Sequence, residues 1–355
     1  MDFIVNRQNL REGKFETKAA PELVDGQARL RIKKFAFTAN NVTYGAVGEM
    51  IGYWNFFPAE KGWGRIPVWG IAAVDESRNP DLPEGERLYG YLPMSTELVI
   101  EPGGVTGHGL FDASAHRAEL PVVYNQYTRL AAETGYDRAQ DDRRMLLHPL
   151  FLTSFLIDDF LDDNDLFGAK TVVVLSASSK TAFSLAFLLS QNRDCNVIGL
   201  TSAGNVDFVE GLGCYDQVVS YADIGSLPAS DPTVIVDMAG NATVLRAAHE
   251  HLGDAVKYSC QVGMTHWEEG GGGGDLPGVK PQFFFAPSQV DKRREDWGAA
   301  GFQKRSADAW QGFLGATGGW LDMVHGRGSE AVERVYLDTV EGRISPKQGH
   351  ILSLE

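Results

Sequence analysis

The residues best suited to chemistry stand near the middle of the chain, directly after a β-favouring run and directly before an apolar helical pattern. They are three serines, a lysine and a threonine: Ser176, Ser178, Ser179, Lys180 and Thr181. This order predicts a strand, a tight turn and a helix, and the first backbone N–H groups of a helix bind phosphate. The hydroxyls would add hydrogen-bond donors, and Lys180 would add a positive charge. The segment is therefore our candidate for a phosphate-binding turn.

The turn departs from the usual glycine-rich sequence. The register G-x-G-x-x-G reads here as Ala177-x-Ser179-x-x-Ala182. Small side chains at these three places still let a phosphate approach the backbone. An alternative stays open, in which the segment is an ordinary serine-rich turn and Ser179 only caps the helix. The strand–turn–helix context favours phosphate binding over that alternative.

The end of the next predicted strand carries no acidic residue. NAD-binding proteins place a carboxylate there, on the ribose hydroxyls of the cofactor. In this chain the neutral residues Thr201 and Ser202 stand at that end, and the first carboxylate is that of Asp207. Lys180 and Asn205 could contact a 2′-phosphate. We therefore predict NADP(H), rather than NAD(H), as the cofactor.

Three further candidates follow predicted strands: Asn241, Gly263 and Met264. Ligands of open α/β sheets bind at the carboxyl ends of the strands, so these residues could line the ribose and nicotinamide of the cofactor. Ordinary turn residues remain the alternative at all three positions.

The elements that must position these residues alternate between strand and helix. Strands are predicted over 171–175, 196–200, 217–220, 233–237 and 255–260. Helices are predicted between them over 180–191, 205–212 and 243–252. Such alternation predicts an α/β fold with a doubly wound, mostly parallel sheet.

The first 150 residues differ from this pattern. Short strands such as Ala28–Phe37 alternate polar and apolar residues and are broken by Gly and Pro, which is typical of a barrel-like fold. Apolar spacings of three and four predict helices over 127–134 and 143–161. Residues 290–355 carry two helical patterns and a closing strand.

Composition limits the classes of protein to consider. With 355 residues, 43% of them hydrophobic, the chain can bury a large core and should form more than one domain. Its net charge of −15 argues against nucleic acid or an anionic membrane as a partner. No apolar run reaches ~18 residues and no signal pattern opens the chain, so we expect a cytoplasmic protein. Three cysteines without a C-x-x-C pair predict neither a disulfide framework nor a structural zinc site.

Three other chemistries are disfavoured by specific residues. The chain has no G-x-S-x-G sequence, which argues against an α/β-hydrolase. His249 and His251 are two residues apart on a predicted helix and cannot share a face as a zinc pair. The turn that ends in Ser179-Lys180-Thr181 lacks both glycines that a P-loop NTPase requires.

Four segments, taken in order, resemble the medium-chain dehydrogenase/reductase superfamily, and in particular its zinc-free quinone and enoyl reductases. They are 40–45 (NNVTYG), 82–90 (LPEGERLYG), 237–241 (DMAGN) and 341–350 (EGRISPKQGH). The resemblance implies a GroES-like β-barrel domain, for substrate and catalysis, formed by residues 1–150 and 290–355. It also implies a Rossmann-like dinucleotide-binding domain formed by residues 151–289. No Cys or His stands at the catalytic-zinc positions of the superfamily's alcohol dehydrogenases, so we expect no metal.

The same resemblance implies a function. We expect a zinc-independent, NADPH-dependent reductase that transfers hydride to an activated C=C bond or a quinone-like acceptor, acts on a small molecule and forms a homodimer. Segment 40–45 resembles the one that carries substrate-facing polar residues in enoyl reductases, so Tyr44 and Asn41 are the catalytic candidates. A phenol can donate a proton in such a reaction. Alternatively, Tyr44 is a core residue with a satisfied hydroxyl.

Two further questions stay open at this point. The aromatic residues Tyr53, Trp54, Phe56 and Phe57 could wall an apolar pocket or simply belong to the core. The missing glycines favour a rival function, a non-catalytic or non-redox nucleotide-binding protein on the same scaffold.

Overall fold

The computed structural model of the protein describes residues 1–133, 135–263 and 276–355. The chain divides into two compact units. The first unit comprises Met1–Leu146 and Asp322–Glu355, and the second comprises Leu147–Leu321. Of the helices in the described ranges, none combines the length and the apolar composition needed to cross a membrane.

The strands and helices are numbered separately in chain order. The strands are β1 (Asp2–Asn6), β2 (Asn9–Glu16), β3 (Ala28–Phe37), β4 (Trp63–Gly64), β5 (Pro67–Ser77), β6 (Arg87–Pro93), β7 (Glu97–Ile100), β8 (Pro102–Gly103), β9 (Gly109–Asp112), β10 (Gln126–Arg129), β11 (Thr171–Leu175), β12 (Asn196–Thr201), β13 (Gln217–Ser220), β14 (Thr233–Asp237), β15 (Val256–Gln261), β16 (Gln282–Phe283), β17 (Asp322–Arg327) and β18 (Gln348–Ser353). The helices are α1 (Ala39–Ala46), α2 (Gly48–Ile51), α3 (Asp141–Asp163), α4 (Lys180–Asn192), α5 (Val206–Glu210), α6 (Ala242–Leu252), α7 (Ala286–Ala316) and α8 (Gly328–Val340).

The second unit is built on a parallel sheet with the strand order β13-β12-β11-β14-β15-β16. Counted along the chain this is the order 3-2-1-4-5-6 of dinucleotide-binding sheets. The central strand β11 is buried along its whole length, which explains its continuous run of β-branched and apolar residues. The strand order reverses between β11 and β14, and sheets of this kind bind ligands at that point, beyond the carboxyl ends of the strands. The predicted doubly wound parallel sheet is confirmed.

The first unit contains two sheets. One follows the order β17-β18-β3-β5-β6-β10-β9-β8, with β7 also paired to β3, and the other follows the order β2-β1-β4. The C-terminal strand β18 pairs antiparallel with β3, so the C-terminal segment joins a sheet built mainly from residues 28–129. The core of the first unit includes the buried side chains of Phe3, Phe35, Trp54 and Tyr336. The predicted GroES-like β-barrel is confirmed.

The prediction of a helix over 127–134 is wrong for the residues described there. The chain forms strand β10 and then a single 3-10 turn over Leu130–Ala132. The helical spacing of the apolar residues does not produce a helix here, because β10 forms hydrogen bonds with β6 on one side and with β9 on the other. Tyr127 is buried over Gly90, where a Cβ atom would lie only 2.4 Å from the Tyr127 ring. Glycine at position 90 therefore makes room for the strand.

Helix α7 belongs to the second unit, whereas the sequence places residues 290–355 with the first domain. The reason is aromatic packing that no local pattern reveals. Trp310 and Phe313 of α7 lie 5.3 and 4.9 Å, between ring centroids, from Phe151 of α3. Phe187 of α4 lies 5.5 Å from Phe313. Apolar burial thus holds α7 against α3 and α4.

Candidate functional site

The turn after β11 is held in place by hydrogen bonds with strand β12 and with the loop before β13. The Ala177 amide donates to the carbonyl of Leu200, at 2.9 Å, and the Ala177 carbonyl accepts from the hydroxyl of Tyr215, also at 2.9 Å. Ser176 adopts a left-handed conformation with φ of 58°, which turns the chain sharply out of the strand. Its hydroxyl shares a 3.4 Å hydrogen bond with that of Tyr221. The turn is therefore rigidly positioned at the carboxyl edge of the sheet.

Helix α4 begins immediately after this turn. Ser179 is the N-cap residue, and its Oγ accepts a 3.2 Å hydrogen bond from the Ala182 amide. The capping role that the sequence leaves open is thus realised. A single cap accounts for one of the amides at a helix start, so it does not exclude an anion bound at the same end, where Lys180 and Thr181 form the first turn.

Lys180 supplies the positive charge of the turn. Partial burial of its side chain lowers the pKa of Lys180 to about 8. Burial disfavours the charged form of a lysine, whereas a nearby anion favours it. A phosphate beside Lys180 would therefore raise the pKa of the lysine again, and the ammonium group is suited to bind a phosphate.

The end of β12 presents neutral polar groups. Thr201 is buried, and its hydroxyl is without a hydrogen-bond partner among the described residues. Ser202 beyond it is exposed. Asn205 donates from Nδ2 to Oγ of Ser178, at 3.2 Å. The structure thus brings together the turns after β11 and β12. These two turns contain five of the predicted cofactor residues: Ser176, Ser178, Ser179, Ser202 and Asn205.

The turns after β14 and β15 contain the remaining candidates. Asn241 caps helix α6, because its Oδ1 accepts a 3.0 Å hydrogen bond from the Val244 amide. Gly263 allows close backbone approach: a Cβ atom there would lie 2.1 Å from the carbonyl oxygen of Met238. Met264 lies outside the described residues, as does the glycine run 270–274. Asn241 and Gly263 therefore shape the carboxyl edge of the sheet on the β14 side of the reversal.

Asn41, the first of the two predicted catalytic residues, is fully engaged in holding helix α1. Its Oδ1 accepts from the amide of Thr38, at 2.8 Å, and from the Thr38 hydroxyl, at 3.2 Å. Its Nδ2 donates to the Pro67 carbonyl of β5, at 2.9 Å. These bonds fix α1 to the sheet, so the geometry supports a positioning role for Asn41.

Tyr44, the second, lies among other tyrosines. Its ring centroid is 4.7 Å from that of Tyr53, 5.5 Å from Tyr91 and 6.4 Å from Tyr124. We call these four residues the phenol cluster. The hydroxyls of Tyr53 and Tyr124 are hydrogen-bonded to each other at 3.1 Å. Burial raises the pKa of all four phenols, so each is protonated at neutral pH.

The phenol cluster is assembled by four different elements. Tyr44 lies on α1 and Tyr91 on β6, while Tyr53 and Tyr124 lie on short 3-10 turns. Trp69 of β5 pairs across the sheet with Tyr91, and their ring centroids are 5.3 Å apart. Tyr91, Tyr124 and Trp69 are not among the site residues predicted from the sequence. A signal for Tyr91 exists, because Tyr89 and Tyr91 alternate with Gly90 along one face of a strand.

The sequence leaves two roles open for the aromatic residues around position 55: the wall of an apolar pocket, or the core. The structure divides them between an aromatic cluster and the core. Phe56 and Phe57 pack on Tyr91, with ring centroids 5.3 and 6.1 Å away. Trp54 instead belongs to the apolar core, where it fills the space that a side chain at Gly48 or Gly64 would need. Within the described ranges, no group of three or more His, Cys, Asp or Glu side chains is arranged to hold a metal ion.

Comparison with solved structures finds the same fold over the whole chain. The structure of CurA from Vibrio vulnificus in complex with NADPH has a TM-score of 0.66 and 12% identity, covering 99% of this chain and 96% of that chain. YhdH of E. coli K-12 with bound NADPH has a TM-score of 0.57 and 14% identity over the whole of both chains. The CurK enoyl reductase has a TM-score of 0.55 and 11% identity, covering 99% and 98%. At these identities the likeness establishes the fold.

Sequence comparison assigns the chain to a family. No curated protein matches it. A family model described as "Protein of unknown function (DUF2855)" matches residues 35–345, which is most of the chain. The two-unit architecture is the medium-chain dehydrogenase/reductase fold that the four sequence segments predict. The chain belongs to the DUF2855 family, and its fold is that of the medium-chain dehydrogenases and reductases.

Proposed function

We propose that the protein is a zinc-independent, NADPH-dependent reductase of an activated C=C bond (an enoyl or enone group) or of a quinone-like acceptor. One observation carries this proposal. Where the strand order of the parallel sheet reverses, a rigid turn leads into a helix that begins with Lys180, while the neighbouring strand β12 ends in neutral residues. CurA and YhdH, which share the fold, were crystallised with NADPH.

The residues at this edge fit NADP(H). The turn 176–181 would hold the pyrophosphate by its amides and hydroxyls. Lys180 and Asn205 would hold a 2′-phosphate, because one carries a positive charge and the other an amide donor. The buried Thr201 hydroxyl, with no partner among the described residues, is a polar group that a ribose could satisfy. An acidic residue at this place would repel the 2′-phosphate, and the nearest one in sequence, Asp207, lies on α5 beyond the turn.

NADPH would supply the hydride that reduces the substrate. The first unit would supply the substrate site and the proton. Tyr44 is protonated at neutral pH because burial raises the pKa of its phenol. It can therefore act as the acid that protonates the α-carbon once hydride has reached the β-carbon. Hydrogen-bond donors such as these phenols would stabilise the enolate oxygen.

A second candidate function is nucleotide binding without redox chemistry. It is favoured by Ser179, which stands where a glycine is usual and whose hydroxyl is used in a hydrogen bond within the protein. The two functions differ in what they require. Both need a nucleotide to bind at the turn, but only the reductase consumes NADPH when an acceptor is present.

A thermal-shift experiment with NADPH, NADH and ATP tests the first requirement. A ligand that binds only the folded state raises the melting temperature. We expect NADPH to stabilise the protein most. If none of the three ligands raises the melting temperature, the reductase proposal fails. NADPH oxidation with enone and quinone acceptors then separates the two functions, since a non-redox protein would bind NADPH without oxidising it.

A further inference from the structure

The hydroxyl group of Tyr91 lacks the hydrogen bond that several other buried tyrosines of the first unit make. Its side chain is 0% exposed, and its hydroxyl has no hydrogen-bond partner among the residues that the structure describes. Other buried tyrosines are bonded: Tyr127 donates to the Tyr91 carbonyl at 3.0 Å, and Tyr336 donates to the Leu10 carbonyl at 2.6 Å. A buried, unpaired hydroxyl destabilises a folded protein. Its presence at the centre of an aromatic cluster therefore calls for a functional explanation.

The surroundings of Tyr91 are aromatic. Its ring centroid lies 4.7 Å from Tyr124, 5.3 Å from both Phe56 and Trp69, and 5.5 Å from Tyr44. Trp69 and Tyr124 are only partly buried, so the cluster reaches the surface of the unit. Tyr124 lies on the short turn Val122–Tyr124, outside the sheet. Flat rings of this kind favour a planar, conjugated ligand.

The charges beside the cluster are balanced within the protein. Arg117 lies 4.6 Å above the Phe57 ring and pairs with Asp112 at 3.2 Å, and both side chains are buried. Arg144 lies 4.9 Å above the Tyr89 ring and pairs with Glu133 at 2.7 Å. Both of these cations thus have a carboxylate partner. Such an environment suits a neutral oxygen acceptor better than a carboxylate or a phosphate.

We propose that the Tyr91 hydroxyl donates a hydrogen bond to the carbonyl oxygen of the substrate, and that the substrate is a neutral, planar, conjugated carbonyl compound bound against Trp69 and Tyr124. The proposal deepens, and rests on, the proposed reductase function. A ligand reaches the hydroxyl by displacing the Tyr124 ring. Tyr91 then becomes a specificity-determining residue, because its hydrogen bond increases the affinity for a ligand with a carbonyl oxygen and not for a hydrocarbon.

The reaction balances with these residues in place. Hydride adds to the β-carbon, the C=C electron pair shifts toward the carbonyl, and the oxygen becomes an enolate. The hydrogen bond from Tyr91 strengthens as that charge develops, while its proton stays on the phenol. The enolate takes a proton at the α-carbon from Tyr44, whose phenolate regains a proton from water. The product is the saturated carbonyl compound.

The test compares Tyr91→Phe with a matched variant, Tyr336→Phe, which also removes one buried hydroxyl of the same unit. The probe is benzylideneacetone, with cinnamate as an anion of similar shape. Binding is measured without NADPH as quenching of Trp69 fluorescence, taken as the difference from Trp69→Phe. We expect benzylideneacetone to bind at least ~10-fold tighter than cinnamate to the unaltered protein. We expect Tyr91→Phe to bind benzylideneacetone about 10-fold more weakly.

Melting temperatures supply the second readout. Tyr91→Phe should melt at the same or a higher temperature than the unaltered protein, whereas Tyr336→Phe should melt lower and bind the probe normally. The proposal is overturned if Tyr91→Phe binds benzylideneacetone as tightly as the unaltered protein, or if cinnamate binds as well as the ketone. Because the assay contains no cofactor, its outcome is separate from that of the reductase proposal, which fails if NADPH neither binds nor is oxidised.

Discussion

The turn after β11 and the phenol cluster use polar groups in opposite ways. In the turn, Ser178 and Ser179 are hydrogen-bonded inside the protein, and Lys180 contributes a positive charge. In the phenol cluster no member is charged at neutral pH, and the hydroxyl of Tyr91 has no partner within the described residues. The turn therefore suits an anion, whereas the cluster suits a neutral acceptor.

Under the proposed function, the two regions would have different roles. A cofactor with phosphate groups needs fixed donors and a positive charge, both of which a helix start provides. A carbonyl substrate that gains charge only during the reaction needs donors in an apolar setting, where each hydrogen bond counts for more. Substitutions in the two regions should therefore affect different steps.

The largest effect is expected at Tyr44. Tyr44→Phe removes the proposed proton donor but keeps the ring that packs on Tyr53 at 4.7 Å. General acid catalysis contributes ~100-fold or more to a rate, so turnover of an enone should fall by at least about 100-fold. NADPH affinity should stay unchanged, because Tyr44 is not among the proposed cofactor residues. Steady-state kinetics and NADPH titration measure both quantities, and unchanged turnover would remove Tyr44 as the donor.

The next effect concerns the packing of the cofactor edge. Gly263→Ala would place a Cβ atom 2.1 Å from the Met238 carbonyl oxygen, a contact that forces the backbone to move. We expect the unfolding free energy to fall by ~1–3 kcal/mol, the usual range for overpacking. Gly225→Ala is the matched control, because nothing lies within 4 Å of its Cβ position. Urea unfolding measures both variants, and equal stability would argue against close approach at Gly263.

A smaller effect is expected from the charge of the turn. Lys180→Ala should weaken NADPH binding about 10-fold and NADH binding much less, because a charged hydrogen bond to phosphate contributes ~1.5–3 kcal/mol. Lys170→Ala makes the same change of charge in the exposed residue just before β11, at the opposite end of that strand, and should leave both affinities unchanged. Equal losses for the two cofactors in Lys180→Ala would contradict a 2′-phosphate contact.

The smallest effect is a dependence of NADPH affinity on pH. Burial lowers the pKa of Lys180 to about 8, and a bound phosphate would raise it, so binding takes up a proton. Affinity should therefore fall several-fold as pH rises from about 7 to about 9. Lys180→Arg keeps its charge throughout this range and should flatten the dependence. A titration series at several pH values checks the sign, and an affinity that rises with pH would contradict it.

The same lysine affects stability with a defined sign. Its folded-state pKa of about 8 lies below its ordinary value of 10.5, so the folded protein releases the Lys180 proton at a lower pH than the unfolded chain does. Its contribution to stability is fully present above pH 10.5 and is lost as pH falls through about 8. A ligand that holds the ammonium form offsets this loss below pH 8.

The second unit was more predictable from sequence than the first because its signals are local. The strand at Thr171–Leu175 matches its prediction residue for residue, since a run of β-branched residues fits only a buried strand there. The Ser179 cap follows from the same stretch. The position of helix α7 in the second unit cannot be predicted in this way, because the contacts of Trp310 and Phe313 with Phe151 join distant parts of the chain.

The phenol cluster was hidden for a related reason. Its members span positions 44 to 124, and the pairing of β5 with β6, which places Trp69 beside Tyr91, cannot be derived from either strand alone. The segment around Tyr127 is a second example. Its apolar spacing predicts a helix, but the segment forms a strand because it pairs with two strands distant in sequence. Residues that act through distant contacts thus become visible only in the folded structure.

The most direct test of the account is an equilibrium titration of the unaltered protein with NADPH and with NADH, followed by quenching of protein fluorescence. We expect NADPH to bind at least ~10-fold tighter than NADH, because Lys180 and the neutral end of β12 favour a 2′-phosphate. Tighter or equal binding of NADH, or no binding of either cofactor, would contradict it.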